Sequence, residues 1–469
     1  MKKIFLIPMA FLFFSNFIFA QEAEKTKYTL EELENLMKEK NTDLRSAREE
    51  YSKSILDYKD AKAGLFPKVE FQASGTYMTN PPIDAIVLNV DDIVNSMQWT
   101  SGYSPVSTGQ YITLYEGMEN TLYNFQLTLE QPVWTWGKLT DAVKVYDKIS
   151  QVKKLQLTSK EDELKCQLKT RLNSLVYLNK ISELLEEEQS CTKRMLEVAE
   201  DAEKNGMLTH IEVVESRMQA KELDIGIEEV KDQIQKQLFE LQKLTGIENF
   251  TLDMTENSFN EEELLKLIEK PLEELESLAL EQSTTSLQML NLLKEINETA
   301  LQIQKNSVYW KPDFAIQASA GYAGSRLPLF EPNWRRKDDW SLNLSIGMKT
   351  TVFDGGKKIN AIARAQNEVE DAGINEDAAR QTIRKTIQEQ YSSAQNSTIK
   401  IEYQELKIES LEEKVKQEQM VFDSGYGSET DLLKIKVDLY NAKVEKLRQE
   451  ITRLVSLYTI DYLITKNKK

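Results

Sequence analysis

Side chains suited to bond-making chemistry are scarce in this 469-residue chain: it has one histidine, His210, and two cysteines, Cys166 and Cys191. A Cys/His metal centre or a Ser–His relay lacks material. The two cysteines fall in what reads as one helix, about 37 Å apart at ~1.5 Å per residue, and cannot bridge within the chain. Gly355-Gly356 lacks the frame of a phosphate-binding loop and reads as a turn where a strand becomes a helix. More informative are Gly206-x-x-Thr209-x-x-Glu212 and Gly425-x-x-Ser428-x-x-Asp431. In each, a glycine turn is followed by a hydroxyl three residues before a carboxylate, the spacing of a capping box that starts a returning helix. His210 reads as a polar residue of the same turn. The chemistry on offer is capping and charge, so no catalytic residue, cofactor or metal ligand is expected.

These motifs occur twice because the chain repeats itself. Pro67-Lys-Val-Glu-Phe-Gln-Ala-Ser-Gly-Thr-Tyr77 returns as Pro312-Asp-Phe-Ala-Ile-Gln-Ala-Ser-Ala-Gly-Tyr322, and Val133-Trp-Thr-Trp-Gly-Lys138 returns as Val352-Phe-Asp-Gly-Gly-Lys357. So long a period is a duplicated domain rather than a solenoid. The reading is a first repeat over 21–246, an irregular acidic linker over 247–270 and a second repeat over 271–465.

Each repeat reads helix, strand, strand, very long helix, glycine turn, medium helix. The strands are expected over about 67–78, 122–133, 312–322 and 340–353. The long helices are expected over about 138–204 and 357–423, and the returning helices over 209–245 and 429–464. The first helix of each repeat is expected to run unbroken, from Thr29 to before Pro67 and from Pro271 to about Val308. Leu164, Leu168, Leu172, Leu175 and Leu178 recur at helical spacing, with charge on the outer faces. The two shorter helices of a repeat together match the long one, which predicts antiparallel pairing along a rod of ~100 Å.

The strands alternate apolar and polar residues: Val69, Phe71, Ala73 and Tyr77 against Glu70, Gln72, Ser74 and Thr76, for example. Each is bracketed by aromatics: Phe66 and Tyr77, Tyr123 and Trp134, Trp310 and Tyr322, Trp340 and Phe353. Strands of about ten residues with aromatic girdles at both ends are the pattern of an outer-membrane β-barrel. Four strands cannot close a barrel, and an open edge in lipid leaves backbone groups unpaired. Several chains must contribute: two would give eight strands and a filled interior, three would give twelve and room for water.

Lys2 and Lys3, an apolar run from Ile4 to Phe19 and Ala20 read as a secretory signal peptide over 1–20, with no cysteine at the cleavage point for a lipid anchor. The net charge of −17 argues against a nucleic-acid partner.

The order and doubling of these motifs resemble the outer-membrane efflux protein (TolC) family across essentially all of the expected mature chain. The resemblance is carried by Leu65-Phe-Pro-Lys-Val, by Val352-Phe-Asp-Gly-Gly-Lys, by the two helix-tip motifs, the second continuing Asp431-Leu-Leu, and by Leu439-Tyr-Asn-Ala442. It implies a mainly α fold with a four-strand β contribution: a homotrimeric β-barrel in outer-membrane lipid that continues into a periplasmic α-helical barrel. The implied function is the exit duct of a tripartite efflux pump or a type I secretion system in a Gram-negative (diderm) bacterium. Its partners would be a periplasmic adaptor (membrane fusion) protein and an inner-membrane RND or ABC transporter. By the same resemblance, Glu212 and Asp431 form the periplasmic gate ring, with Glu215 and Lys434 at the next ring position. A family acid is replaced there by Lys434, which predicts mixed charge. The tip residues Gly206, Met207, Leu208, Thr209, Gly425, Tyr426, Gly427 and Ser428 would dock the adaptor. The rival reading is an exported coiled-coil spacer whose strands form a soluble sheet.

Overall fold

The computed structural model describes residues 28–96, 109–115, 117, 119–248, 250, 261–281, 284–325, 327 and 339–464. The expected signal peptide lies outside the described residues. The helices are α1 (Leu30–Lys40), α2 (Thr42–Ala63), α3 (Val90–Ser96), α4 (Lys138–Lys204), α5 (His210–Thr245), α6 (Glu261–Glu269), α7 (Leu272–Ala279), α8 (Thr285–Lys305), α9 (Lys357–Asp423) and α10 (Glu429–Ile464). The strands are β1 (Lys68–Tyr77), β2 (Ile86–Asn89), β3 (Tyr111–Tyr115), β4 (Thr121–Trp134), β5 (Asp313–Gly324) and β6 (Trp340–Lys349). The chain is therefore mainly α with a small β contribution. It divides into a unit built from Met1–Arg48, Leu157–Thr285 and Arg380–Lys469, and a second built from Glu49–Gln156 and Ser286–Ala379.

The first unit is helical. One core cluster joins Leu33, Met37 and Leu44 to Leu164, Leu168, Leu172, Leu175, Leu241 and Leu244. Each of these leucines, fully buried, contributes roughly 1.5–3 kcal/mol relative to exposure. A second cluster packs Leu264, Leu267 and Leu275 against Tyr177, Ile387, Leu454, Leu457 and Ile460.

Three expectations about the helical elements are corrected. The helix expected without interruption from Thr29 breaks at Asn41. The Asn41 Oδ1 accepts from the N–H groups of Asp43 and Leu44, and its Nδ2 donates to the Leu244 carbonyl. A short amide side chain here outcompetes the helical ladder and starts α2. The helix expected from Pro271 is likewise α7 and α8, parted at a Ser/Thr-rich stretch where the Thr284 N–H and hydroxyl both donate to the Glu281 carbonyl. The linker expected to be irregular contains α6. Its Leu264 and Leu267 sit one turn apart and enter the core, while the Tyr177 hydroxyl donates to the Glu261 carboxylate. Its acidic face, Glu261, Glu262 and Glu263, occupies the first turn, where the helix dipole favours negative charge.

The second unit carries the β structure. β1, β4, β5 and β6 form one antiparallel sheet in the order β1-β4-β5-β6, so strands from both repeats meet at β4–β5. β2 and β3 form a separate two-stranded sheet with α3 beside it, inside the stretch expected only as a long loop. β6 ends at Lys349, not near Phe353. Its partner β5 begins at Asp313, directly opposite Lys349, so residues beyond have no strand to pair with.

Candidate functional site

Two surfaces hold the expected site residues, one on each unit. The first is the four-stranded sheet. Its register places Phe71 opposite Leu127, Leu127 opposite Ala320 and Ala320 opposite Leu342. One row further, Val69, Leu129, Ala318 and Leu344 align in the same way. Alternation then puts every apolar set on one face. The other face carries rows such as Gln72, Gln126, Gly321 and Ser341. On β6 the apolar side chains are open: Leu342 is 84% exposed, and Leu344 and Ile346 are each 76% exposed, while Phe125, Leu129 and Ile316 on the two middle strands are half-buried. Strands β1 and β6 each have a partner on one side only among the described residues. A sheet bare on its apolar face and open at both edges is an aggregation hazard in water.

The bracketing aromatics sort by register into two groups. Tyr77, Tyr123, Tyr322 and Trp340 lie at one end of the sheet; Phe66, Trp134, Trp310 and Phe353 lie at or just beyond the other. Tyr123 is half-buried, and Tyr322 is buried outright: it is 2% exposed, between Phe125 (centroids 6.3 Å) and Trp340 (5.2 Å, edge-on). Gly324 makes room for it, since a Cβ there would collide with the Tyr322 hydroxyl.

Strand passes to helix through matching turns in the two repeats. Gly355 and Gly356 take φ of 69° and 87°, and Trp136 and Gly137 take 56° and 83°. Asp354 caps the second turn, accepting from the N–H groups of Gly356 and Lys358. In the first, tertiary contacts hold a tryptophan in a left-handed conformation that ordinarily favours glycine. The Trp136 Nε1 donates to the Pro312 carbonyl at 2.9 Å, its ring meets Trp134 edge-on, and the Lys311 ammonium lies 5.8 Å from its centroid. Lys138 pairs beside it with Asp313 at 2.6 Å.

The second surface is the pair of helix tips on the helical unit. Gly206 (φ 71°) closes α4: Met207 N–H donates back to the Ala202 carbonyl and Gly206 N–H to Glu203. Gly425 (φ 77°) closes α9 in the same way, with Tyr426 N–H donating to Val421 and Gly425 N–H to Phe422. Gly427 has its own requirement, because a Cβ there would stand 2.7 Å from the Phe422 nitrogen. The turns thrust Met207 and Tyr426 into solvent, 78% and 92% exposed. Leu208 and Ser428 occupy the same turns.

Thr209 and Glu212 form the expected capping box. The Glu212 carboxylate accepts from the Thr209 N–H and hydroxyl, both at 2.8 Å, and these bonds hold it below the usual carboxylate range. Glu212, Glu215 and Asp431 are exposed on the first turns of α5 and α10. Lys434 is exposed too, but it lines a cleft with Glu188 and Asp438 between α4, α5 and α10. His210 pairs with Glu203 at 2.8 Å across the first tip.

Among the cross-helix contacts that escaped the sequence reading are two between α4 and α10. Arg194 on α4 grips Glu429 at the start of α10 with two bonds, Nε to Oε1 at 2.7 Å and Nη2 to Oε2 at 3.1 Å. The bonds from Arg194 hold Glu429 below the usual range. Asn441 on α10 donates to Glu188 on α4 at 3.0 Å. These partners lie more than 230 residues apart in sequence, and no local spacing signals either pair. Cys166 and Cys191 are both free. Among the described residues no helix is long and apolar enough to cross a membrane, which says nothing of a β-barrel.

Residues 278–463 match the family model described as outer membrane efflux protein. No curated protein matches the chain by sequence. Among solved structures, the chain is similar to CusC, a protein that changes conformation on folding and transmembrane channel formation: 13% identity, TM-score 0.71, covering 93% of this chain and 92% of that one. It is similar to the CmeC outer membrane channel of Campylobacter jejuni, with 13% identity, TM-score 0.69 and coverage of 93% and 85%. It is also similar to the outer membrane protein VceC of Vibrio cholerae, with 15% identity, TM-score 0.69 and coverage of 93% and 96%. At these identities the structures establish a shared fold, and the family match covers most of the second repeat. The resemblance read from the sequence motifs stands, and it is to a family of channels.

Proposed function

We propose that this chain, efflux-family in its second repeat and channel-like in its fold, is one third of an outer-membrane exit duct. The observation that carries the reading is the sheet whose apolar rows share one face and whose edge strands β1 and β6 each lack an outer partner among the described residues. Three copies would join those edges into twelve strands, with the apolar rows in lipid and the polar rows around water. An open edge in hydrocarbon would leave backbone groups unsatisfied, so closure by further copies supplies what one chain lacks.

The helices would continue the duct through the periplasm of a diderm bacterium. The exposed tips at Met207 and Tyr426 suit docking of a periplasmic adaptor, with an inner-membrane RND or ABC transporter supplying energy and cargo. Glu212 and Asp431 would ring the entrance, three copies of each favouring cations. Glu215 and Lys434 at the next position would make the adjoining ring mixed in charge. Drug efflux and type I secretion would share this architecture, and the neighbouring transporter would decide between them.

The test is direct. Protein extracted from outer-membrane fractions should migrate as an SDS-resistant, heat-dissociable trimer and open ion-conducting pores in planar bilayers. Recovery as a soluble periplasmic monomer without conductance would replace the duct with the coiled-coil spacer.

A further inference from the structure

The end of the four-stranded sheet where strands meet helices holds a lysine to which none of the expected roles extends. Lys311 precedes β5, and its ammonium lies 5.0 Å from the Trp310 ring centroid and 5.8 Å from that of Trp136. It donates to the Asn306 Oδ1 at 2.6 Å. The acidic residue nearest to it in sequence, Asp313, is taken by Lys138 instead. Among the described residues no carboxylate pairs with Lys311. Two ring faces attract the cation without neutralising it, and an ammonium has three donors, of which Asn306 takes one.

The apolar rows of the sheet fix the depth of this group. They run from Trp340, opposite Tyr322, to Met348, opposite Phe314, eight residues along β6. At about 3.3 Å per residue and a tilt of about 40°, they rise roughly 20 Å, just short of the ~25 Å apolar band of an outer-membrane barrel. Trp134 completes the last row beside Phe314 and meets Trp136 edge-on at 5.9 Å. The series Trp134, Trp136, Lys311 and Trp310 thus leads from the final apolar row to a cation just beyond it. Trp134, Tyr309 and Trp310 are exposed. Tryptophan beside a lysine at this level suits the boundary between acyl chains and headgroups. Lys349, at the same end, differs: it pairs in register with Asp313, one position from the Phe314–Met348 row, and so stands on the polar face. An apolar row that ends at an ammonium without a counter-charge matches a ligand with an anionic head on an apolar tail.

We propose that Lys311 binds the phosphate of a glycerophospholipid, its ammonium donating to a phosphodiester oxygen while the acyl chains lie along Trp134, Phe314 and Met348. The site rests on the exit-duct reading, which sets this face of the sheet in lipid.

Delipidated full-length protein in detergent would be titrated with dioleoyl phosphatidylglycerol and its bound lipid read by native mass spectrometry. Dioleoylglycerol, with the same tails and no phosphate, is titrated in parallel. Lys311→Met keeps most of the stem and removes the charge; it should weaken phosphatidylglycerol binding about tenfold or more, the worth of a hydrogen bond to a charged group. Lys349→Met, on the polar face, should leave binding unchanged. Circular dichroism melts confirm that each variant is folded; should Lys311→Met fail to fold, the two lipids on the wild-type chain decide. Equal affinity of Lys311→Met and the wild-type chain overturns the proposal, as does an equal loss in Lys349→Met. So does dioleoylglycerol binding as tight as phosphatidylglycerol binding. Inorganic phosphate that displaces the lipid at equal concentration also overturns it and would mark a site for free phosphate. The same spectra weigh the particle: a monomer would refute the duct, while its lipid adducts would still decide the Lys311 site.

Discussion

Leucine 344 gives the sharpest test of where the sheet resides. It lies mid-way along β6, opposite Ala318, between Leu342 and Ile346 on the same face, and three-quarters of its surface is open. If that face meets hydrocarbon, Leu344→Arg costs about 2–4 kcal/mol per chain near the bilayer midplane. At ~1.4 kcal/mol per decade, this is roughly a 30- to 700-fold penalty on each chain's insertion. Its neighbour Asn343 points to the other face, opposite Ser319. There Asn343→Arg should cost within about ±0.5 kcal/mol, as at an ordinary wet position. The assay is recovery of heat-dissociable oligomer from outer-membrane fractions at matched expression. Leu344→Arg should fall by at least an order of magnitude while Asn343→Arg stays near the original level. Equal recovery of the two would refute the lipid assignment, because an exposed leucine on a soluble sheet tolerates arginine as readily as an exposed asparagine does.

The helical unit yields three further expectations. Glu212→Ala with Asp431→Ala should lower the cation preference of single channels in planar bilayers; unchanged selectivity would leave these residues as helix caps alone. Arg194→Ala removes one tie between α4 and the start of α10 and should raise the open fraction of the proposed channel. Low pH should do the same to the unmodified protein. Glu429 sits below its ordinary range, so its tie to Arg194 is complete above the usual glutamate pKa and is lost as pH falls through the lowered value; conductance indifferent to both perturbations would sink this role. Leu457→Ala, at a side chain with no exposure in the core shared by α6, α7 and α10, should destabilise by about 2–5 kcal/mol in denaturant titration.

Elements whose signals are local were legible in the chain. The expected long helices correspond to α4 and α9 because neither span contains a proline and their apolar residues keep helical spacing; Leu168 and Leu175 are fully buried. Thr209-x-x-Glu212 was legible as a capping box because all its partners lie within one turn. The misreadings also have local causes. Asn41 looked like one polar residue in a helix, and its capping of α2 is secured by a bond to Leu244, some 200 residues away. The charge of Glu261–Glu269 masked the leucine pair that makes α6 a core helix. Trp136 gave no sign of a left-handed turn, because its anchor, the Pro312 carbonyl, comes from the other repeat.

Sequence alone determined the alternation of the strands, the doubling of the unit and the turns at Gly206 and Gly425. These depend on side-chain period and backbone conformation within a few residues. Tertiary structure alone decided which strands are neighbours, and so merged the apolar rows of two repeats into one continuous face. It also decided that Tyr322 is buried while its counterpart Tyr77 is open, that Arg194 meets Glu429, and that Glu188 is sealed with one oxygen unpaired. Each of these depends on groups brought together across tens to hundreds of residues, where spacing in the chain carries no information about distance in space.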